Sequence, residues 1–334
     1  MIKFLSCDWG TSSFRLRLVS VADMSTVAFY SSKAGINKVF TEWNTLSQKD
    51  APRVGFYYAR ILKGIEHLEK ETGKDLSELL IICSGMASSS VGIRELPYTS
   101  LPFDVRGEGL EMHLFPLSEE RRQSLLLLSG LRTENNVMRG EETQLVGIIT
   151  QMKDFGGDGQ FIFPGTHSKH ITVQNSKVTG FHTCMTGELF SLLSQHSILA
   201  NSVAEGLSLS DEAGRRAFKK GVLEGAAHPI ISRLFHVRTN ELFKYLKKEE
   251  NYHYLSGLLI GGELGILAVR QNKLPLFVCP DNNLYQQYSL ALECLGIDCG
   301  IISPSLVEGA VVHGQFKIFN QNLNHERSIF LGSF

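Results

Sequence analysis

Residues 8–13 read Asp8-Trp9-Gly10-Thr11-Ser12-Ser13, DWGTSS, set between IKFLSC and FRLRLVSV. After it, Phe14, Leu16 and Leu18 alternate with Arg15 and Arg17, the period of a half-buried strand. IKFLSC also has the composition of a strand, so DWGTSS is the tip of a hairpin. This connection decides the fold. Dinucleotide-binding and P-loop sites place a glycine loop between a strand and a helix, and neither GxGxxG nor a P-loop motif occurs. A small, hydroxyl-rich turn between two strands instead presents backbone N–H groups and hydroxyls to the oxygens of a polyphosphate. An acid in that turn repels phosphate unless a cation stands between them, so Asp8 implies Mg²⁺. An ordinary Asx-capped turn would look the same in isolation.

The balance shifts at residues 159–196, GQFIFPGTHSKHITVQNSKVTGFHTCMTGELFSLLSQH. This segment runs strand FIFP, turn GTHS, strand KHITVQ, turn NSK, strand VTGFHT. A helix then starts near Thr186, with Leu189, Leu192, Leu193 and His196 on one stripe. The N-terminal segment has the same order, its third strand being VAFYSS after the turn ADMST. Gly10 and Gly165 hold matching turns, which indicates a hidden duplication. Two domains are expected, residues 1–150 and 151–334, each offering a hairpin tip to a cleft, with the last helix able to pack back on the first domain. Gly10, Thr11, Ser12 and Ser13 form one phosphate-binding turn; Gly165, Thr166, His167 and Ser168 form the other, with Lys169 beside it. Two unrelated hairpins in one chain would be the plainer explanation.

A length of 334 residues agrees with two domains, because single cores stop growing at roughly 250 to 300 residues. Lys and Arg number 33 against 34 Asp and Glu, without a long block of either sign, so neither nucleic acid nor an anionic membrane is an expected partner. No signal-like core is read in MIKFLSCDWG and no apolar run nears the roughly 18 residues of a membrane span, so a cytoplasmic protein is expected. Six cysteines, 7, 83, 184, 279, 294 and 299, show no CxxC pair and no companion histidine spacing. They read as reduced, mostly buried thiols, without structural zinc, and the remaining histidines as structural. A homodimer is compatible with the sequence.

Elsewhere, residues 50–71 predict a helix with Val54, Tyr58, Ile61, Ile65 and Leu68 on one stripe. LLIICSG (79–85) and SLLLLSG (124–130) are buried strands, the first feeding a loop at Gly85. In TENNVMRGEETQ (133–144) a helix starts near Glu141, with two carboxylates in its first turn. They complement the helix dipole by about 0.3–1 kcal/mol. One of them, Glu141 or Glu142, also suits a general base, with Arg139 beside it for an anionic substrate. Glycines 257, 261, 262 and 265 leave a smooth helix face for close packing within LSGLLIGGELGILAV (255–269).

Several ordered stretches together resemble the 2-dehydro-3-deoxygalactonokinase family: DWGTSSFRLRL (8–18), GMASSSVGIRELPY (85–98), NVMRGEETQLVG (136–147), FPGTHSKH (163–170), CMTGELFSLLSQHSI (184–198) and LSGLLIGGEL (255–264). The resemblance covers nearly the whole chain. It implies an α/β sugar kinase of the actin, hexokinase and Hsp70 ATPase superfamily, with two duplicated ribonuclease H-like domains around a nucleotide cleft. Asp8–Ser13 then match the first phosphate motif and Gly165–Ser168 the second. Glu141 or Glu142 matches the acid that deprotonates the sugar hydroxyl. The implied reaction is ATP-dependent phosphorylation of the C6 hydroxyl of 2-dehydro-3-deoxy-D-galactonate, with Mg²⁺ on Asp8, in galactonate catabolism. Gly85, Met86, Ser88 and Ser89 would line the sugar pocket. Arg139 is the chosen partner for the sugar-acid carboxylate, with Arg15 and Arg94 as competitors. Two departures stand out: Ile93 replaces a common tryptophan, and Cys279-Pro280-Asp281-Asn282-Asn283 replaces the small adenosine-binding turn. A kinase of another 2-keto-3-deoxy sugar acid, a non-sugar actin-like ATPase and a phosphohydrolase of the same fold are the alternatives.

Overall fold

The computed structural model describes residues 3–45, 52–116, 122–269 and 274–323. The chain divides into two compact units. One comprises Met1–Gly157, Gln174–Gly180 and Glu308–Phe334; the other comprises Asp158–Val173 and Phe181–Val307.

In the first unit β1 (Lys3–Trp9), β2 (Phe14–Ser20) and β3 (Thr26–Ser32) form an antiparallel meander. Helices α1 (Ile36–Thr45) and α2 (Arg53–Thr72) lead to β4 (Ile81–Gly85), which pairs parallel with β1. Then follow β5 (Thr99–Ser100), β6 (Phe103–Asp104), β7 (Met112–Phe115), β8 (Leu125–Leu128), β9 (Leu131–Arg132), β10 (Val137–Met138) and α3 (Glu141–Gln151). The main sheet has the order β3-β2-β1-β4-β8-β7, with β8 parallel to β4; β5, β9 and β10 make a small second sheet. Alternation in β2 buries Phe14, Leu16 and Leu18 against Tyr58, Ile61, Ile65 and Leu68 of α2. The expected stripe of that helix is thus its buried face, although Val54 is only half-buried and the expected start at Asp50 lies outside the described residues. The helix stops at Gly73, left-handed at φ 65°, whose N–H donates to the Glu69 carbonyl.

The first hairpin turn is shorter than the DWGTSS stretch suggests. Pairing in the first hairpin continues through Asp8↔Arg15 to Trp9↔Phe14, so Asp8 and Trp9 are strand residues and the turn is Gly10–Ser13. Trp9 is buried in the core, its indole N–H donating to the Ala34 carbonyl at 2.9 Å.

The second half of the chain repeats the plan. β11 (Gly159–Phe163), β12 (Ser168–Gln174) and β13 (Lys177–Cys184) form the meander, of which residues Gln174–Gly180 are counted with the first unit. After α4 (Thr186–His196), α5 (Glu212–Ala227), α6 (Ile230–Leu242) and α7 (Lys248–Val269), strand β14 (Leu276–Val278) pairs parallel with β11. Helix α8 (Tyr285–Leu295) precedes β15 (Gly300–Ile301), parallel to β14. The order β15-β14-β11-β12-β13 is that of β8-β4-β1-β2-β3. The fold is therefore the expected duplicated, ribonuclease H-like α/β architecture. Helix α9 (Pro304–Leu323) ends the described chain, and from Glu308 onward it belongs to the first unit.

Close packing of the glycine-rich helix is visible between α5 and α7. A Cβ built on Gly261 would stand 2.1 Å from the Val222 carbonyl oxygen, and one on Gly225 2.1 Å from that of Leu258. Backbone thus touches backbone, and only glycine fits. The predicted stripe of α4 holds only at Leu193, which packs inward beside Phe190, whereas Leu189, Leu192 and His196 are exposed. Among the described residues no helix is long and apolar enough to cross a membrane. All six cysteines are free thiols.

Candidate active site

In the first unit three chain segments converge on two glycines. Gly85, at the end of β4, has φ 87°; a Cβ there would come within 2.8 Å of the Trp9 carbonyl oxygen and 3.7 Å of Asp8 Oδ1. Gly140, just before α3, has φ 108°, and its Cβ would lie 3.5 Å from Gly85 Cα. The Asp8 carboxylate, the loop after β4 and the first turn of α3 are therefore brought together around backbone that side chains would fill. Asp8 Oδ2 pairs with Arg15 Nη1 at 3.1 Å across the hairpin. The turn itself is closed by Gly10 N–H donating to the Ser13 carbonyl at 2.9 Å, and Ile36 N–H at the start of α1 donates to Gly10 O at 3.0 Å. Gly35 supports the tip: a Cβ there would stand 2.3 Å from Thr11 O. Thr11 and Ser12 are exposed.

The two carboxylates of α3 separate by environment. Glu142 is fully buried. Both its oxygens accept the Gly140 N–H, at 2.9 and 2.8 Å, and Oε1 also accepts from Thr143 Oγ1 at 3.0 Å. Burial first, and the neighbouring Glu141 charge second, push its pKa up to about 7 against those hydrogen bonds. Glu141 is half-buried and accepts the Arg139 N–H at 3.1 Å.

Arg139 is engaged by its surroundings. Nη1 donates to Ser88 Oγ at 2.7 Å, Nη2 to the Leu96 carbonyl at 2.8 Å, and the guanidinium lies 3.9 Å over the Tyr98 ring. Its buried Nε has no hydrogen-bond partner among the described residues. Ser88 and Ser89 are buried and turned into their own 3₁₀ turn, Ser89 Oγ donating to Met86 O at 2.7 Å. The structure thus makes these two serines part of the loop's frame, whereas Gly85 and Met86 lie at its start. Ile93 is a core residue, 1% exposed, so its replacement of tryptophan is a packing difference and not a change in a lining ring. Arg94 is exposed and within 2.8 Å of His113 Nε2.

In the second unit the matching tip, Gly165–Ser168, rests on the N-terminus of α4. Glu188 N–H donates to the Thr166 carbonyl at 3.0 Å, and a Cβ on Gly187 would meet Gly165 O at 2.6 Å. Thr166 and His167 are exposed, and His167 Nε2 pairs with Glu188. Lys169 Nζ donates back to the His167 carbonyl at 2.8 Å. Ser168, expected to face phosphate, is buried and donates to Glu263 Oε1 at 2.6 Å.

Glu263 is a residue the sequence reading did not single out. Its carboxylate collects Ser168, His170 Nε2 at 2.9 Å, Thr186 Oγ1 and Tyr288 Oη at 2.8 Å. Burial raises its pKa, yet hydrogen bonds from His170, Ser168 and Thr186 outweigh burial and hold it below the ordinary carboxylate value. A single acid inside LSGLLIGGELGILAV was the available signal. Gln315 of α9 gave none: its Nε2 donates to Cys7 O at 2.8 Å and Ser84 Oγ at 2.9 Å, bracing the strand ends beside Asp8. His170, His182 and Cys184 also come together, contrary to the expectation drawn from spacing that the cysteines have no histidine companions. The expected adenosine turn opens α8, where Asp281 Oδ1 accepts the Leu284 N–H at 2.9 Å.

The duplicated ribonuclease H-like α/β fold is that of the phosphotransferases of the actin and hexokinase class. A family model described as 2-keto-3-deoxy-galactonokinase matches residues 8–318, and the chain belongs to that family. It is 32% identical over 302 residues to a protein of Rhizobium meliloti named as a probable 2-dehydro-3-deoxygalactonokinase, covering 88% of this chain and 90% of the relative. A 2-dehydro-3-deoxygalactonokinase of Escherichia coli is 31% identical over 228 residues, 65% of this chain and 72% of the relative. The crystal structure of a Sinorhizobium meliloti protein described as the same kinase superposes with a TM-score of 0.76 at 28% identity, covering 98% and 97% of the two chains.

Proposed function

We propose that the chain transfers the γ-phosphoryl group of ATP to the C6 hydroxyl of 2-dehydro-3-deoxy-D-galactonate in the cytoplasm, as a step of galactonate catabolism. The observation that carries this reading is the convergence of Asp8, the Gly85–Met86 loop and the start of α3 at two glycines of positive φ. Phosphoryl transfer needs positioned charge and a base for the acceptor hydroxyl, with little further chemistry from the protein.

Glu141 is our choice for the base: its carboxylate is the accessible one of the pair, whereas both oxygens of Glu142 are held inside the protein by Gly140. Glu141 would take the hydroxyl proton on a carboxylate oxygen, and Glu142 keeps the Gly140 turn in place. Arg139, already bracing the Ser88 loop and stacked on Tyr98, would direct its remaining donors to the sugar-acid carboxylate. The exposed turn Thr11–Ser12 and the tip at Thr166–His167 would each present N–H groups and hydroxyls to phosphate oxygens. A carboxylate at a strand end fits a hard cation, so Asp8 would hold Mg²⁺, which supplies neutralising charge to the phosphate oxygens. Arg15 is within ion-pair distance of the same carboxylate and would release it when the cation binds.

A kinase of an epimeric sugar acid uses the same parts and is separated only by the acceptor. An ATPase that moves partners has no use for the Arg139 and Glu141 arrangement. The test is an ADP-coupled assay over a panel of 2-keto-3-deoxy sugar acids, followed by ³¹P–¹H correlation of the product. The expected product couples phosphorus to a terminal CH₂ group and forms fastest from the galactonate-derived acid. Preference for another epimer would reassign the acceptor.

A further inference from the structure

Strands β12 and β13 carry a cluster that phosphoryl transfer leaves unused. One ring nitrogen of His170, one of His182 and the Sγ of Cys184 lie within 4.8 Å of one another. The two imidazoles stand 4.6 Å apart, centroid to centroid, inclined at 39°. His182 and Cys184 are two residues apart on β13 and so share a face, while His170 comes from the neighbouring strand.

His170 is 1% exposed, and its Nε2 faces the Glu263 carboxylate. An ionised carboxylate only accepts, so in the neutral ring Nε2 carries the proton and Nδ1 holds a lone pair. That Nδ1 is buried and has no hydrogen-bond partner among the described residues. Two imidazoles and a thiol in mutual reach, one imidazole being buried with an unpartnered nitrogen, are the donor set of a borderline-soft ion.

We propose that His170 Nδ1, His182 and Cys184 Sγ form a binding site for a divalent transition metal of the Zn²⁺ class. Bonds of about 2.0–2.3 Å to a tetrahedral ion place its ligands under ~4 Å apart, so side-chain adjustment closes the observed spread. Glu263 orients His170 from behind, in the carboxylate–histidine–metal arrangement that fixes tautomer and ring direction. Binding displaces the Cys184 thiol proton to solvent. Mg²⁺, which demands oxygen ligands, is excluded by the same donors. Because Ser168 shares Glu263 with His170, an occupied site would tighten the hairpin tip at Gly165–Ser168.

The test is titration of the chelator-treated full chain with Co²⁺. The expected result is a thiolate-to-cobalt absorption band with tetrahedral visible bands, saturating at a single equivalent, abolished by Zn²⁺ and indifferent to Mg²⁺. Cys184→Ser should abolish the thiolate band. Glu263→Gln should keep it while weakening affinity by roughly 10–100-fold. His182→Gln, at a half-buried position, is the second variant should either of these fail to fold, and it should lose the tetrahedral bands. Absence of a saturable band, or a band that survives in Cys184→Ser or His182→Gln, overturns the proposal.

Discussion

Glu141 and Glu142 are adjacent in sequence and opposite in circumstance, and predictions at the residue scale follow from that contrast. Glu141→Gln should lower acceptor-dependent kcat by roughly 10²–10⁴-fold while ATP binding, read by calorimetry, stays within a few-fold. Glu142→Gln should act mainly on stability, and equal kcat losses in the two variants would contradict the division of roles. The pH dependence has a definite sign. Glu142 titrates at about 7 in the folded chain against an ordinary 4.5, so the folded state binds its proton more tightly than the unfolded state does. Its contribution is full below about pH 4.5 and lost as pH rises through about 7. Melting temperatures measured from about pH 5 to about pH 8 should therefore show the parent losing ground to Glu142→Gln. A constant gap would refute the raised pKa. The carboxylate pair was legible in GEE at a helix start, but its ranking was not, because burial is set by neighbours distant in sequence. Ser88, Ser89 and Ser168 illustrate the same limit: small hydroxyls in loops read as ligand contacts, and tertiary packing turned all three inward.

At the scale of elements, α5 and α7 meet along glycines, and α7 carries Glu263 to the underside of the hairpin tip. Gly261→Leu should cost about 1–3 kcal/mol or more, because its Cβ would meet the Val222 carbonyl, and a lowered urea midpoint is the readout. An unchanged midpoint would mean that the seam relaxes. Such packing was legible, since glycines at one-turn spacing have few other uses in a long helix. The register of α4 was legible only in part: Leu189 and Leu192 satisfied the helical period along with Leu193, yet only Leu193 faces the protein, beside the unexpected Phe190. Helix α1 escaped notice because only Ile36 and Val39 are buried in it, too few to make a stripe. The His170, His182 and Cys184 cluster was illegible as spacing because its members lie on two strands and meet only when the hairpin forms.

Across the whole molecule, the order of strands in the two sheets repeats the order of elements that the two hairpins implied, and the family match over residues 8–318 agrees with it. The role of Gln315 had no signature in local sequence, because it reaches Cys7 and Ser84 only through the completed fold. At this scale ATP turnover belongs to phosphorylation of a sugar acid. The direct measurement is ADP release with and without 2-dehydro-3-deoxy-D-galactonate, alongside the amount of phosphorylated acid formed. ADP and phosphorylated acid should form in equal amounts, with release without acceptor slower by at least ~10²-fold. Equal release in the absence of the acceptor would contradict it.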